Sequence, residues 1–455
     1  MAKEKYIASW DYRIFKTYVR FINEHLMYKM YYQGKENIPA KGELCMLVSN
    51  HENAANDPLN LLLGLENETH PYVLARADAF DLVGPVLSKF FLWLGMLPTF
   101  RAEFGASPED MAKNERTMET MYGKILDGNR LIIYPAGIHV NKHWFDDFTF
   151  GYTHMAFTAA KKAGFKKDFK IVPCANHYED YIEVGTQCII RYGEPVSLQP
   201  WYEMYQTKPR TAQREVNKII RERIEAMMLD IRDLDHYEQI EWLRKSAFGR
   251  DYCRANGGNP AYLPDKLASD RKLVEKLSEF SSQNSEFRFQ NSDMWSAIDE
   301  IMAEEKALDI TERDIVGRKN WAQTLCGMVV QAALLPLWIV SLYPNIVHYM
   351  LPYPFVKADP MFTNSVRFIV PTVFGIPLFF LFTVLICGLV WGLWWQSIVW
   401  MLLASWPLAW FALHNGKWMK ATWRNAKLLV KSHKSSVKSL MAKRDSLFEN
   451  LRKAL

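Results

Sequence analysis

Residues 49–58, Ser-Asn-His-Glu-Asn-Ala-Ala-Asn-Asp-Pro, place a histidine six positions before an aspartate. An imidazole changes charge near neutral pH and can take a proton from a hydroxyl. A carboxylate beside it fixes its tautomer and stabilises the imidazolium. His51 and Asp57 together would therefore do general-base chemistry on an alcohol. His51 follows the apolar run Leu44–Val48, so it falls in a loop after a buried strand, and a loop that doubles back would bring Asp57 to it. Each residue also has a plainer reading. Asp57 precedes Pro58 and could be a helix N-cap before a Pro at the first helical position. His51 could be an ordinary polar loop residue. A second stretch, His139-Val-Asn-Lys-His143 with Asp146 and Asp147, raises the question of a metal. A His-x3-His pair ligates best from a formed helix with a third ligand in place, and this one follows a strand and precedes Trp144-Phe145. No metal site and no redox cofactor is expected, and Lys142 is placed to attract phosphate instead.

The elements that must position these residues alternate. Residues 6–28 read as an amphipathic helix, with Ile7, Trp10, Ile14, Phe15, Tyr18, Phe21, Ile22 and Met27 near helical spacing and Arg13, Lys16, Arg20 and Glu24 between them. Strands are expected at Met30–Gln33, Leu44–Val48, Tyr72–Leu74, Leu97–Phe100, Leu131–Tyr134, Lys170–Cys174 and Ile189–Arg191. Helices are expected from Asp57 to Leu65, over 80–94, from the capping signature Ser107-Pro-Glu-Asp110 to Leu126, and over 152–163. This order predicts an α/β fold with a mostly parallel sheet and flanking helices, whose active site lies in loops at the strand ends. Residues 210–315 read as charged helices, with 254–260 as a linker. No internal repeat stands out.

Four motifs and two further segments then carry a resemblance. Asn50 to Asp57 resembles the first motif of the glycerol-3-phosphate and lysophosphatidic acid acyltransferase family, usually His, four residues, then Asp. Here five residues intervene, which resembles one membrane-bound bacterial branch. Leu74-Ala-Arg76-Ala-Asp-Ala-Phe80 looks like the segment that follows in that branch. Gly95-Met-Leu-Pro-Thr-Phe-Arg101 is similar to the second motif, whose terminal arginine binds the acceptor's phosphate. Tyr134-Pro135-Ala136-Gly137 resembles the third motif, Phe-Pro-Glu-Gly, with Ala136 in place of the glutamate that helps organise acceptor binding. Lys170-Ile-Val-Pro173-Cys174 looks like the fourth, associated with the acyl-binding wall, and Gly193-Glu-Pro195 follows it. The resemblance covers roughly residues 30–200. It implies the glycerol-phosphate acyltransferase fold, His51 as base, Asp57 as its partner, and Arg101, Arg76, Pro135, Gly137 and Pro173 as substrate-binding positions. It further implies an acyl thioester of coenzyme A or acyl carrier protein as co-substrate, and glycerol-3-phosphate, lysophosphatidate or another lysolipid as acceptor in phospholipid biosynthesis. A non-catalytic lipid-binding membrane protein on the same fold is the alternative that Ala136 keeps open.

Composition bounds the rest. The chain has 455 residues, is 49% hydrophobic and carries a net charge of +5. The average hides an asymmetry. Residues 368–413 hold no charged residue and no histidine, and 320–356 hold no charged residue and only His348. The first run is long enough for two membrane helices of about 20 residues each, with a turn near Trp391–Gln396. A buried core-helix pair is the competing reading. Pro336, Pro344, Pro352 and Pro354 interrupt 320–356, which is expected to lie at the interface or dip in and return rather than cross. The six scattered cysteines show no Cys-x-x-Cys pair and argue against a disulfide framework. The first residues lack an apolar stretch and an Ala-x-Ala site, so the catalytic part is expected on the cytoplasmic face. Residues 415–455 hold eleven Lys/Arg against Asp445 and Glu449. Lys417, Lys420, Arg424, Lys427, Lys431, Lys434 and Lys438 recur every three or four residues, as one stripe on a helix that would meet anionic lipid heads. Nucleic acid is not an expected partner. The organisation expected is an N-terminal helix (1–29), a catalytic domain (30–209), charged helices (210–318), a membrane region (319–414) with hairpin or multi-pass topology, and a basic cytoplasmic tail (415–455).

Overall fold

A computed structural model describes residues 6–100, 107–137, 141–145, 147–282, 285–345, 350 and 363–454. The chain divides into two compact units, Met1–Met228 with Phe355–Phe368, and Leu229–Pro354 with Ile369–Leu455.

The first unit is built on an eight-stranded sheet. Its strands are β1 (Tyr28–Gln33), β2 (Leu44–Ser49), β3 (Tyr72–Arg76), β4 (Met96–Thr99), β5 (Leu131–Ile133), β6 (Phe169–Tyr178), β7 (Thr186–Tyr192) and β8 (Val196–Ser197). The spatial order is β1-β7-β6-β2-β5-β3-β4, with β8 beside β6. β6 runs antiparallel to β7 and β8, and every other pairing is parallel. The helices are α1 (Trp10–Ile22), α2 (Asn56–Gly64), α3 (Asp78–Trp93), α4 (Pro108–Leu126), α5 (Gly151–Lys162), α6 (Tyr202–Thr207) and α7 (Pro209–Glu225). This is the mostly parallel α/β sheet with flanking helices that the alternating pattern implies.

Both faces of β2 are covered. Leu44, Met46 and Val48 join one core with Leu131, Ile133, Phe169 and Ile171 from neighbouring strands, Met121 and Ile125 from α4, and Phe157 from α5. Cys45 and Leu47 are equally buried on the opposite face. That is why β2 reads as an unbroken apolar run rather than an alternation. Fully burying each such side chain contributes roughly 1.5–3 kcal/mol. α7 belongs to the same core through Ala212, Val216, Ile220 and Ile224, at four-residue spacing on one helical face. α4 opens on the expected capping box, in which Ser107 accepts from the Asp110 amide and Asp110 accepts from the Ser107 amide. Helix α3 covers the predicted 80–94 but is broken at Gly84, whose φ of 74° precedes Pro85.

Two expectations change. The strand read as Lys170–Cys174 runs on to Tyr178, because Asn176, His177 and Tyr178 pair with Ile190, Ile189 and Cys188 of β7. The N-terminal helix also turns differently. α1 buries Tyr12, Lys16, Val19 and Ile22, while Trp10 is 72% and Ile14 61% exposed. The apolar stripe read from the sequence faces outward in part. Lys16 is drawn inward by two carbonyls, those of Glu66 at 2.7 Å and Thr69 at 3.3 Å from Nζ.

The second unit is helical. It comprises α8 (Tyr237–Lys245), α9 (Ala247–Ala255), α10 (Leu263–Ser282), α11 (Ser285–Leu308), α12 (Glu312–Val316), α13 (Trp321–Leu342), and, after α14 (Thr363–Ile369), which straddles the unit boundary, α15 (Ile376–Trp391), α16 (Trp394–Lys431) and α17 (Ser435–Ala454). Three stretches are long and apolar enough to cross a membrane: Trp321–Leu342, Ser365–Trp391 and Trp394–Lys431. Of the prolines expected to interrupt 320–356, Pro336 sits inside a continuous 22-residue helix, Pro344 lies in the short turn after it, and Pro352 and Pro354 lie outside the described residues. Polar contacts tie α13 to α16. Gln331 donates to the Thr422 hydroxyl at 2.8 Å, and the Trp338 indole donates to the Ala412 carbonyl at 3.1 Å. Such bonds hold helices together where surrounding lipid supplies no hydrophobic drive.

The basic stripe is not continuous. α16 ends at Lys431 and α17 begins at Ser435. Arg424 forms a bidentate pair with Asp314 at 2.6 and 2.5 Å. Lys431 donates to the Leu308 carbonyl, and Lys427 approaches Asp309 at 3.9 Å. Lys420, Lys434 and Lys438 are exposed.

Burial, reinforced by Arg20, lowers the Lys16 pKa to about 7. Between pH 7 and the ordinary lysine value the unfolded chain binds the extra proton, so stability should rise with pH across that window. Thermal unfolding from pH 6 to 9 should show this rise in the wild type and a flatter profile in Lys16→Met. Equal slopes in the two proteins would remove Lys16 as its source.

Candidate active site

β2 delivers the chain to the carboxyl edge of the sheet at Ser49, and the loop that follows closes on itself. Ala54, at φ 43°, takes the left-handed turn that the five-residue spacing requires. Asp57 is completely buried, and its carboxylate organises the loop. Oδ2 accepts from His51 Nδ1 at 2.6 Å, from the Glu52 amide at 2.7 Å and from the Asn53 amide at 2.8 Å. Oδ1 accepts from the Tyr178 hydroxyl at 2.7 Å. Four donors on one buried carboxylate is the pattern that holds a negative charge in place.

The helix-cap reading of Asp57 does not describe this geometry. The residue before α2 is Ala55, without a side-chain cap bond, and Asp57 lies inside the first turn with its carboxylate turned back to the preceding loop. With Nδ1–H given to Asp57, the remaining lone pair of His51 is on Nε2, the arrangement of a general base. The His51 side chain is 17% exposed, so it is reachable while its partner is not. Its ring stacks on Tyr134 at 4.4 Å between centroids.

Tyr134 is put there by the third motif. The Gly137 amide bonds the Tyr134 carbonyl at 3.1 Å, with Pro135 at the second position of the turn and Gly137 at φ 74°. Pro135 and Gly137 therefore shape the wall that carries the ring under His51. Burial first, and the Asp57 charge second, push the phenols of Tyr134 and Tyr178 well above their ordinary value, so both remain neutral.

Behind the pair runs a buried chain of amides. Asn23 donates to Asn60 at 2.9 Å, and Asn60 donates to the Tyr178 hydroxyl at 3.1 Å, which in turn donates to Asp57. Asn50 extends the β2–β6 ladder with its side chain, accepting from the Asn176 amide at 2.8 Å and donating to the Asn176 carbonyl at 3.0 Å. Sequence reading missed Asn23, Asn50, Asn60, Tyr134, Asn176 and Tyr178. The available signal was polar residues set in apolar surroundings, such as Asn60 between Leu59 and Leu61.

The other predicted positions distribute as follows. Arg76 ends β3, exposed, opposite Thr99 of β4, at the same carboxyl edge as His51. Pro173 lies in β6 opposite Val48, its carbonyl accepting from the Gly193 amide at 2.8 Å. Arg101 and His139 lie outside the described residues. Phe100, next to Arg101, is held by both amide atoms of Asn114 at 2.7 and 2.8 Å. His143, read earlier with His139, is buried and meets Glu52 and Tyr181 instead.

Residues 29–177 match the Acyltransferase family model. No curated protein matches the chain. Among solved structures it is similar to the 1-acyl-sn-glycerophosphate (LPA) acyltransferase PlsC from Thermotoga maritima. The identity is 15% over 46% of this chain and 78% of that one, with a TM-score of 0.33.

Tyr178→Phe removes one donor from a buried carboxylate and one acceptor from Asn60. Denaturant unfolding of the detergent-solubilised protein should show a loss of about 1–3 kcal/mol. An unchanged midpoint would mean that the Asn60–Tyr178–Asp57 chain does not hold the loop.

Proposed function

We propose that this protein transfers a fatty acyl group from a thioester of coenzyme A or acyl carrier protein to a hydroxyl of glycerol-3-phosphate or lysophosphatidate. The observation that carries this reading is the 2.6 Å contact between His51 Nδ1 and a fully buried Asp57, at the carboxyl edge of a parallel sheet. His51 Nε2 takes the proton from the acceptor hydroxyl as its oxygen attacks the thioester carbonyl. The carbon–sulfur bond breaks, and the imidazolium returns the proton to the leaving thiolate. Asp57 holds the ring and balances its positive charge without itself taking the proton. Arg101 receives the acceptor phosphate and Arg76, at the carboxyl edge that carries His51, adds a second cation, a role that suits the planar guanidinium fork. Pro135 and Gly137 set the turn under His51, and Pro173 belongs to the acyl side. No metal or redox group enters this step.

The membrane supplies the lipid. The outward-facing Trp10 and Ile14 of α1 suit an interfacial position, and Lys420, Lys434 and Lys438 suit anionic head groups. The basic tail belongs on the cytoplasmic face by the positive-inside rule, and a catalytic unit on that same face requires an even number of crossings. Within the candidate spans, about 368–390 and 395–413 make the crossing hairpin of this reading, and Trp321–Leu342 is assigned no crossing.

Two measurements bear on this reading. Purified protein in detergent, given labelled acyl donors and a panel of acceptors, should turn over. His51→Ala should lose about 10²–10⁴-fold in rate. Arg101→Ala should raise the KM for a phosphate-bearing acceptor roughly tenfold or more while leaving that for the donor near its original value. No turnover with any acceptor would favour a lipid-binding protein on this fold, and a His51→Ala rate above about a tenth of wild type would refute His51 as the base. For topology, a single cysteine at Ser435 should stay unlabelled by a membrane-impermeant thiol reagent until cells are permeabilised. Labelling in intact cells would mean an odd number of crossings.

A further inference from the structure

Behind the catalytic loop lies a second cluster that the acyl transfer does not use. Glu52, His143 and His177 are 1%, 1% and 2% exposed, and their ligand atoms all lie within 4.8 Å of one another. They come from three separate segments: the loop after β2, the loop before α5, and the extended end of β6. We propose that these three residues bind a divalent ion of the zinc class.

Two imidazoles and a carboxylate form a donor set that zinc takes readily. Bonds of about 2.0–2.2 Å in a tetrahedral shell put neighbouring donors roughly 3.4 Å apart. Glu52 Oε2 and His143 Nδ1 already stand at 3.3 Å. The His143 and His177 rings lie with centroids 4.7 Å apart at 34°, so a side-chain adjustment on the order of an ångström completes the shell. The Tyr181 hydroxyl, 2.8 Å from Glu52 Oε2 and 2.7 Å from His143 Nδ1, bridges these two ligand atoms by hydrogen bonds.

The outer groups suit the same purpose. Asn50 donates to Glu52 Oε1 at 2.8 Å, which leaves Oε2 aimed at the cluster, the kind of bond that orients a ligating carboxylate. A buried carboxylate among imidazoles needs compensating positive charge, and a dication supplies it. Glu52 also gives its backbone amide to Asp57. An ion at Glu52 would thus fix the loop that holds His51, as a structural centre rather than a participant in the reaction. This reverses the expectation from sequence that the chain holds no metal, and it stands independently of the acyl-transfer reading.

The test uses the full-length protein in detergent, stripped with a chelator and reloaded with Zn²⁺ or Co²⁺. Elemental mass spectrometry after gel filtration should find one ion per chain, and the cobalt form should show the absorption bands of a four-coordinate ion. His143→Ala or His177→Ala should weaken binding at least about tenfold. Wild-type protein holding less than about 0.1 ion per chain would overturn the site and leave Tyr181 as the bridge of a metal-free hydrogen-bonded network. An H143A/H177A variant retaining as much metal as wild type would overturn it too. If those variants do not fold, competition of the stripped wild type with a chromogenic zinc chelator decides. The site requires the protein to withdraw one equivalent, and no withdrawal overturns it. Metal content and His51-dependent turnover are separate readouts, so either inference can fail alone.

Discussion

A single buried carboxylate governs the geometry of the sheet's carboxyl edge. Asp57 cannot reach solvent, so each of its lone pairs must be met from within the protein. His51, two loop amides and Tyr178 meet them. The requirement fixes the loop conformation, the left-handed Ala54, the tautomer of His51 and the length of β6, since Tyr178 must extend far enough along the sheet to arrive at Oδ1. Leaving any one of these donors out would cost about 1–3 kcal/mol at a buried charged group. The His51 ring is thus held in place by groups spread over more than a hundred residues of chain.

The parallel sheet makes that convergence possible. β2, β3, β4 and β5 all run the same way, so the loops after them open at one edge. His51, Arg76 and the turn carrying Tyr134 meet there although they are far apart in sequence. β6 is the exception that completes the site. It runs parallel to β2 but continues past Ser49, where it pairs with antiparallel β7, and its last residue, Tyr178, reaches Asp57 in the segment after β2. Asn50 bridges the two by imitating a strand residue with its side chain.

The helical unit follows a different rule. Its apolar helices expose leucine, valine and tryptophan broadly, as a lipid-facing surface does, and keep polar groups for mutual contacts such as Gln331 with Thr422. Its cations are divided. Arg424 closes a bidentate pair with Asp314, which fixes its geometry, while Lys420 stays exposed on the same helix. A charge stripe read from spacing therefore splits into structural and surface members once acids from another helix are placed against it.

The amino-acid sequence by itself determined the α/β class, most strand and helix positions, the apolar stretches and the pairing of His51 with Asp57. These follow from local causes: apolar periodicity, the Ser107 capping signature, Pro and Gly at turns, and a motif held within eight residues. It did not disclose the end of β6, the inward Lys16, the continuous helix through Pro336 or the buried partners of the site. Each of those depends on what lies opposite in space. Asn176 and His177 look like loop residues until β7 pairs with them, and Lys16 looks solvated until the carbonyls of Glu66 and Thr69 receive it. Glu52, His143 and His177 are unremarkable apart from one another, and only the fold brings their ligand atoms within 4.8 Å. Burial turns a polar side chain from a surface feature into an obligation to find a partner, and the partner's identity is settled by tertiary contacts that no local pattern encodes.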